Sequence, residues 1–108
     1  MKLFVTAALT AAVALTATPA MADLALAKKS NCMACHTQKT NLVGPGYEKI
    51  AEKYKNDKAA KARLIDRVIK GTAATGGEVW KLGSAMPPNA VKPDVADKLV
   101  TWILAGAK

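Results

Sequence analysis

The most reactive side chains of the chain lie in one short run, Cys32-Met33-Ala34-Cys35-His36. Two thiols separated by two residues fit one turn of backbone, and both can add to the vinyl groups of a porphyrin. The adjacent imidazole can then ligate the iron. This motif predicts covalent attachment of one haem c, with Cys32 and Cys35 as thioether donors and His36 as the proximal iron ligand.

Three other uses of a cysteine pair compete with haem attachment. A thioredoxin-like redox pair requires a βαβ context and a larger sheet domain, and neither pattern is visible. A zinc site requires a fourth ligand, but the sequence holds only two cysteines and one histidine. A disulfide between residues three apart would be strained and would stabilise little. Haem attachment is favoured over these alternatives.

The second axial ligand is predicted by elimination. Because His36 is the only histidine, coordination by two histidines of one chain is excluded. Beyond residue 22 the methionines are Met33, inside the attachment motif, and Met86, in a long loop. Two prolines follow Met86 and restrict the backbone that would hold its thioether at the iron. The alternative role for Met86 is to fill the hydrophobic core. His36 and Met86 together would fill both axial positions, which favours electron transfer and argues against an enzyme.

The N-terminal segment is typical of a secretory signal peptide. Lys2 precedes an apolar run over residues 3–15, and the small residues of Ala20-Met21-Ala22 then suit a signal peptidase. We predict that residues 1–22 are removed and that residues 23–108 form one domain in the periplasm. A membrane anchor is the alternative, but a run of 13 residues is shorter than the roughly 20 that a spanning helix needs. We therefore expect no stable membrane insertion.

Helical periodicity dominates the remaining chain, so the predicted fold class is all-α. A short helix is expected from Asp23 to about Asn31, and the last helix begins near Pro93 and stops at Gly106. The other two expected helices cover residues 47–54 and 60–69, and loops are expected over 37–46 and 71–91. Only 5% of the residues are aromatic, so we expect the porphyrin itself to fill much of the interior.

These motifs together resemble the class I cytochromes c, and specifically the small soluble bacterial monohaem proteins of the c-551/c-552 type. The resemblance covers the whole of residues 23–108 and implies about four short helices wrapped around one haem. Besides the attachment motif, it is carried by four segments, Val43-Gly44-Pro45-Gly46-Tyr47, Gly77-Glu78-Val79-Trp80, Met86-Pro87-Pro88-Asn89 and Trp102-Ile103-Leu104.

The resemblance also implies roles for residues around the iron ligands. The carbonyl of Pro45 would accept a hydrogen bond from the Nδ1–H of His36. Arg67 and Trp80 would donate to a haem propionate, and Asn89 would lie near the methionine sulfur. The chain departs from the family in two places: residues 72–76 are additional, and residues 81–85 replace a run that is often rich in proline.

The formal charge of +8 is the balance of 16 lysines and arginines, which are spread along the chain, against 8 aspartates and glutamates. The absence of a basic-aromatic patch argues against nucleic-acid binding. The lysines either form a solvated surface or steer the protein towards acidic docking surfaces on redox partners. The resemblance implies a monomeric electron carrier that serves a nitrite reductase, a cytochrome c peroxidase or a terminal oxidase. Alternatives are a haem c subunit bound tightly to a periplasmic dehydrogenase, and an enzyme or gas sensor with an open iron position.

Overall fold

The computed structural model describes residues 19–108, with side-chain burial from residue 23 onward. Its four helices are α1 (Pro19–Lys29), α2 (Tyr47–Tyr54), α3 (Ala60–Lys70) and α4 (Pro93–Leu104), with short 3-10 turns at Cys32–Ala34 and Ala73–Thr75. These residues include no β-strand, so the all-α prediction is confirmed. Most of the predicted signal peptide lies outside the described residues, and its cleavage stays a prediction.

Helix α1 differs from its expected bounds at both ends. It begins at Pro19 rather than Asp23 and ends at Lys29. Proline suits the first turn of a helix, and the alanines that follow favour helix formation. After α1 the backbone turns at Asn31, which has φ 61°. This left-handed residue separates α1 from the 3-10 turn that carries the cysteine pair.

Helices α2 and α3 carry the amphipathic faces that the sequence predicts. In α2, Tyr47 and Ile50 are buried. In α3 only Ala60 is fully buried, while Leu64 and Val68 are partly exposed. The backbone leaves α3 through Gly71 with φ 81°, a conformation that favours glycine. Helix α3 therefore offers an apolar face that the other helices do not cover completely.

Helix α4 supplies more of the core than any other element. Five of its residues are buried, namely Ala96, Leu99, Val100, Trp102 and Ile103. Leu99, Trp102 and Ile103 form one cluster with Ala27 of α1 and with Tyr47. The Tyr47 ring packs edge-on against Trp102 at a centroid distance of 5.6 Å. The α4 helix is thus the element against which the other three helices pack.

The loop between the cysteine motif and α2 is anchored at several points. Gln38 donates from Nε2 to the carbonyl of Ala107 at 2.8 Å, and the Tyr47 N–H donates to the carbonyl of Thr37 at 2.9 Å. These bonds hold the attachment motif against the C-terminal end of the chain. None of the helices over residues 19–108 has the length and apolarity needed to span a membrane.

Candidate functional site

A large cleft opens beside the attachment motif. Its empty volume, including the open side, is about 870 Å³, and a neighbouring hollow of about 900 Å³ lies between the motif and the segment around Met86. Cys32, His36 and Met86 line both of them, so the two spaces meet at these residues.

The two cysteines lie on a single tight turn. The N–H groups of Cys35 and His36 both donate to the carbonyl of Cys32, at 3.2 and 3.0 Å. Both thiols are free and partly exposed. Cys32 lines the cleft and the hollow, and Cys35 lines the hollow. The local backbone therefore presents both sulfurs at one edge of the space, as attachment to a single porphyrin requires.

His36 is held as a neutral imidazole with one free nitrogen. Its Nδ1 lies 2.8 Å from the carbonyl oxygen of Pro45; because that oxygen can only accept, Nδ1 carries the proton and Nε2 keeps its lone pair. Burial lowers the pKa of His36 and outweighs the opposing effect of the Pro45 carbonyl. This hydrogen bond is the one that the resemblance implied for Pro45.

Two further contacts hold the imidazole, and the sequence did not single them out. Tyr47 stacks on the His36 ring at a centroid distance of 5.0 Å and an interplanar angle of 23°. Burial raises the pKa of the Tyr47 hydroxyl far above its usual range, with a further increase from the neighbouring Cys32 thiol. The backbone of Gly44 runs so close to the ring that a Cβ there would lie 2.8 Å from Nδ1. The imidazole thus sits in a close-fitting slot.

Met86 is held by its backbone against the end of α3. Its N–H donates to Oγ1 of Thr72 at 3.0 Å, and its carbonyl accepts from the Thr72 N–H at 3.0 Å. Three residues along the chain, the Asn89 N–H donates to the carbonyl of Val68 at 3.0 Å. We call residues 86–89 the methionine arm. Thr72 was not identified from the sequence as a functional residue.

Asn89 links the methionine arm to the attachment motif. Its Nδ2 donates at 3.0 Å to the carbonyl of Ser30, two residues before Cys32. The resemblance placed this side chain near the methionine sulfur, and the structure gives its amide group this backbone partner. The bond joins the two segments that carry the expected iron ligands.

Arg67 and Trp80 both line the cleft. The Arg67 guanidinium donates to the carbonyls of Gly77 and Thr75, at 3.1 and 3.0 Å, and so braces the loop over residues 71–86. The Lys53 ammonium lies over the Trp80 ring, 5.5 Å from its centroid. Donation from Arg67 and Trp80 to a propionate stays a prediction.

The residues present fit the group that the motif predicts. The cleft and the adjoining hollow together bring close an imidazole with a free nitrogen, a thioether and two thiols, and the other side chains that line the cleft are mostly apolar. Neutral imidazole and thioether are established iron ligands in c-type haem proteins. Together, the all-helical fold and this donor set define a small class I c-type cytochrome.

Comparisons with known proteins assign the chain to a family. The Cytochrome c family profile matches residues 24–107, and the chain therefore belongs to the cytochrome c family. Cytochrome c-551 of Allochromatium vinosum is 46% identical over 93 residues, which cover 84% of this chain and 94% of that protein.

Two solved structures show the same fold. Nitrosomonas europaea cytochrome c552 is 38% identical, with a TM-score of 0.70 over 77% of this chain and 98% of that one. The Class 1 cytochrome MtoD of Sideroxydans lithotrophicus ES-1 is 30% identical, with a TM-score of 0.62 over 82% and 96%. The predicted family, fold and covalent haem c cofactor are thereby confirmed, and the protein is a haem c electron carrier.

Proposed function

We propose that this protein is a periplasmic single-electron carrier in which His36 and Met86 are the axial ligands of the haem iron. The bound haem c would supply the one-electron Fe(II)/Fe(III) couple. The observation that carries the proposal is that both side chains line the same cleft beside the cysteine pair. With both axial positions filled by protein, no iron position would remain for a substrate.

The elimination of Met33 has structural support. Its side chain is partly buried against the hydrophobic core and does not line the cleft or the hollow. Met86 lines both and is anchored at its backbone on each side of the Cα atom. Of these two methionines, only Met86 lines the cleft, which supports its proposed role as an iron ligand.

The rim of the cleft is suited to brief contacts with other proteins. Val43, Val79 and Leu82 line it and are 44%, 44% and 37% exposed, and Leu42 beside them is 56% exposed. Exposed apolar side chains grouped around a site mark an interaction surface. Lys81, which is also exposed, lies between two of them in the sequence. We propose that electrons pass through this rim to redox proteins with acidic docking surfaces.

The iron ligands are tested by absorption spectra of the oxidised and reduced holoprotein, with and without carbon monoxide. We expect a six-coordinate spectrum that carbon monoxide does not readily change. Met86→Ala should open the iron to carbon monoxide and lower the reduction potential, whereas the control Met33→Leu should do neither. An unchanged spectrum in Met86→Ala would reject Met86 as the ligand.

Cys35→Ser should weaken haem attachment, and a normal yield of holoprotein would contradict the thioether assignment.

The role as a carrier is tested by electron exchange with small charged complexes. Oxidation of the reduced protein by anionic hexacyanoferrate(III) should slow as salt is added, whereas oxidation by the cationic tris(1,10-phenanthroline)cobalt(III) should show the opposite trend. Lys81→Ala should reduce the rate with the anion more than Lys98→Ala, a change on the exposed side of α4. Equal salt trends for both complexes would argue against steering by the basic surface. Co-purification with a catalytic subunit would instead favour a dehydrogenase subunit.

A further inference from the structure

We propose that Thr72 is a positioning residue that keeps Met86 on the iron by closing the methionine arm onto the end of α3. The inference rests on the proposed ligation of iron by Met86. Thr72 is only 7% exposed, although it is polar and lies in a loop. Its burial is explained by what its polar atoms bind.

The methionine arm has few means of attachment. Its four residues include two prolines, which have no N–H to donate. The arm therefore offers two backbone donors, those of Met86 and Asn89, and both are used. Asn89 donates to the carbonyl of Val68, and Met86 donates to Oγ1 of Thr72. One of the two backbone N–H groups of the methionine arm is therefore bound by the Thr72 side chain.

The contact between Thr72 and Met86 is reciprocal. Besides accepting at Oγ1, Thr72 donates its N–H to the Met86 carbonyl at 3.0 Å, and its hydroxyl lies 3.4 Å from the same oxygen. The Thr72 carbonyl in turn accepts from the N–H groups of Thr75 and Gly77, at 3.1 and 2.7 Å. Thr72 therefore ties together the start and the end of a loop whose ends are 14 residues apart.

The neighbouring residue makes this close approach possible. Gly71 has φ 81°, and a Cβ at that position would lie 2.8 Å from the Met86 carbonyl oxygen and 2.8 Å from the nitrogen of Pro88. The absence of a side chain at Gly71 lets the arm pass directly over the end of α3. The Met86 N–H then comes within hydrogen-bond distance of the Thr72 hydroxyl.

The consequence concerns exchange of the iron ligand. An added ligand such as imidazole can replace Met86 only when the thioether leaves the iron and the arm opens. In the open arm, water can bond to the Met86 N–H. Without the Thr72 hydroxyl, the closed arm would instead keep that donor without a partner, which favours opening.

The test is displacement of Met86 by imidazole in the ferric holoprotein, followed by absorption spectroscopy. Thr72→Val retains the shape of the side chain and removes the acceptor. We expect it to bind imidazole about tenfold more tightly than the wild type, the factor that corresponds to about 1.4 kcal/mol. Thr72→Ser retains the hydroxyl and should restore an affinity near that of the wild type.

The matched control is Thr75→Val. The Thr75 hydroxyl donates to the Gly71 carbonyl at 2.8 Å in the same loop, and the Thr75 side chain makes no hydrogen bond to Met86. This variant should change imidazole affinity less than twofold, even if it unfolds at a lower denaturant concentration. Equal affinity in Thr72→Val and the wild type, or equal increases in both valine variants, would overturn the proposal.

A second measurement needs no variant. In the wild-type holoprotein, the amide proton of Met86 should exchange with solvent slowly, as the hydrogen bond to Thr72 requires. Exchange as fast as that of exposed loop amides would overturn the proposal. Because this test uses only the wild type, it applies even if Thr72→Val yields no holoprotein. If the wild type itself lacks methionine ligation, its spectrum shows this before any imidazole is added, and both proposals fail.

Discussion

The slot that holds His36 leads to a sharp prediction for Gly44→Ala. A Cβ at residue 44 would lie 2.8 Å from Nδ1 and 2.9 Å from Nε2 of the imidazole, whereas ordinary contact begins at 3.4 Å. The Cβ would approach Cε1 more closely still, so the ring would have to retreat by about 1 Å to reach ordinary contact. It is stacked on Tyr47 and bonded to Pro45, so the retreat would disturb contacts that set its orientation.

The magnitude follows from two costs. Forcing an extra methyl group into a packed site costs about 1–3 kcal/mol, and weakening the bond between Nδ1 and the Pro45 carbonyl costs about 1 kcal/mol more. Gly44 is not among the glycines with positive φ, so backbone strain adds nothing. We expect Gly44→Ala to lower the free energy of unfolding of the holoprotein by about 2–4 kcal/mol and to change the spectrum of the haem.

The assay is denaturant unfolding followed in the visible region, together with the spectrum of the folded protein. Gly76→Ala is the matched control. Gly76 has φ 101° and no atom within 4 Å of an added Cβ, so alanine there should cost about 1–2 kcal/mol through its backbone alone. The control should leave the haem spectrum unchanged. If Gly44→Ala has the unfolding free energy and the haem spectrum of the wild type, the close contact with Gly44 does not set the orientation of the His36 ring.

Three further predictions concern the bonds around the cleft and one surface ion pair. Asn89→Ala should lower the unfolding free energy by about 1 kcal/mol in denaturant titrations, because the Ser30 carbonyl loses its donor; a change below 0.3 kcal/mol would contradict this. Arg67→Ala should cost about 1–2 kcal/mol, since two loop carbonyls lose a charged donor, and equal stability of Arg67→Lys would show that the paired geometry is not needed. The pKa of Asp97 is lowered mainly by its hydrogen bond from Lys61. The stabilisation is therefore present above the unfolded pKa of about 3.9 and is lost as the pH falls through the lower folded value. Asp97→Asn should be less stable than the wild type at pH 7 and equally stable in strong acid, and a gap that persists there would count against the ion pair.

Local patterns in the sequence predicted most of the helices. The apolar spacing of α2, the glycine after α3 and the proline of α4 each act within one or two turns, and the structure has these helices near the expected bounds. The start of α1 was wrong by four residues. Proline favours the first turn of a helix, but Pro19 lies within the predicted signal peptide, so the helix was expected to begin after the cleavage site.

The residues of the site likewise divide into those that the local sequence predicts and those that it does not. The cysteines and His36 are adjacent in the chain and belong to one motif, and Met86 followed by elimination among few candidates. In contrast, the bond between Met86 and Thr72 joins residues 14 apart, and that between Asn89 and Ser30 joins residues 59 apart. The periodicity of the sequence does not predict such pairs, because they depend on how the loop folds over the end of α3.

The incompletely covered face of α3 has a consequence for how the cell maintains this protein. Leu64 and Val68 line the cleft rather than packing only against other helices, so a haem bound there would serve as their missing core partner. A newly made chain that has not acquired haem would leave this face in water and would be prone to local opening. Proteases act on such open states. The steady amount of this cytochrome should therefore follow the supply of haem and of the attachment machinery, and not its rate of synthesis alone.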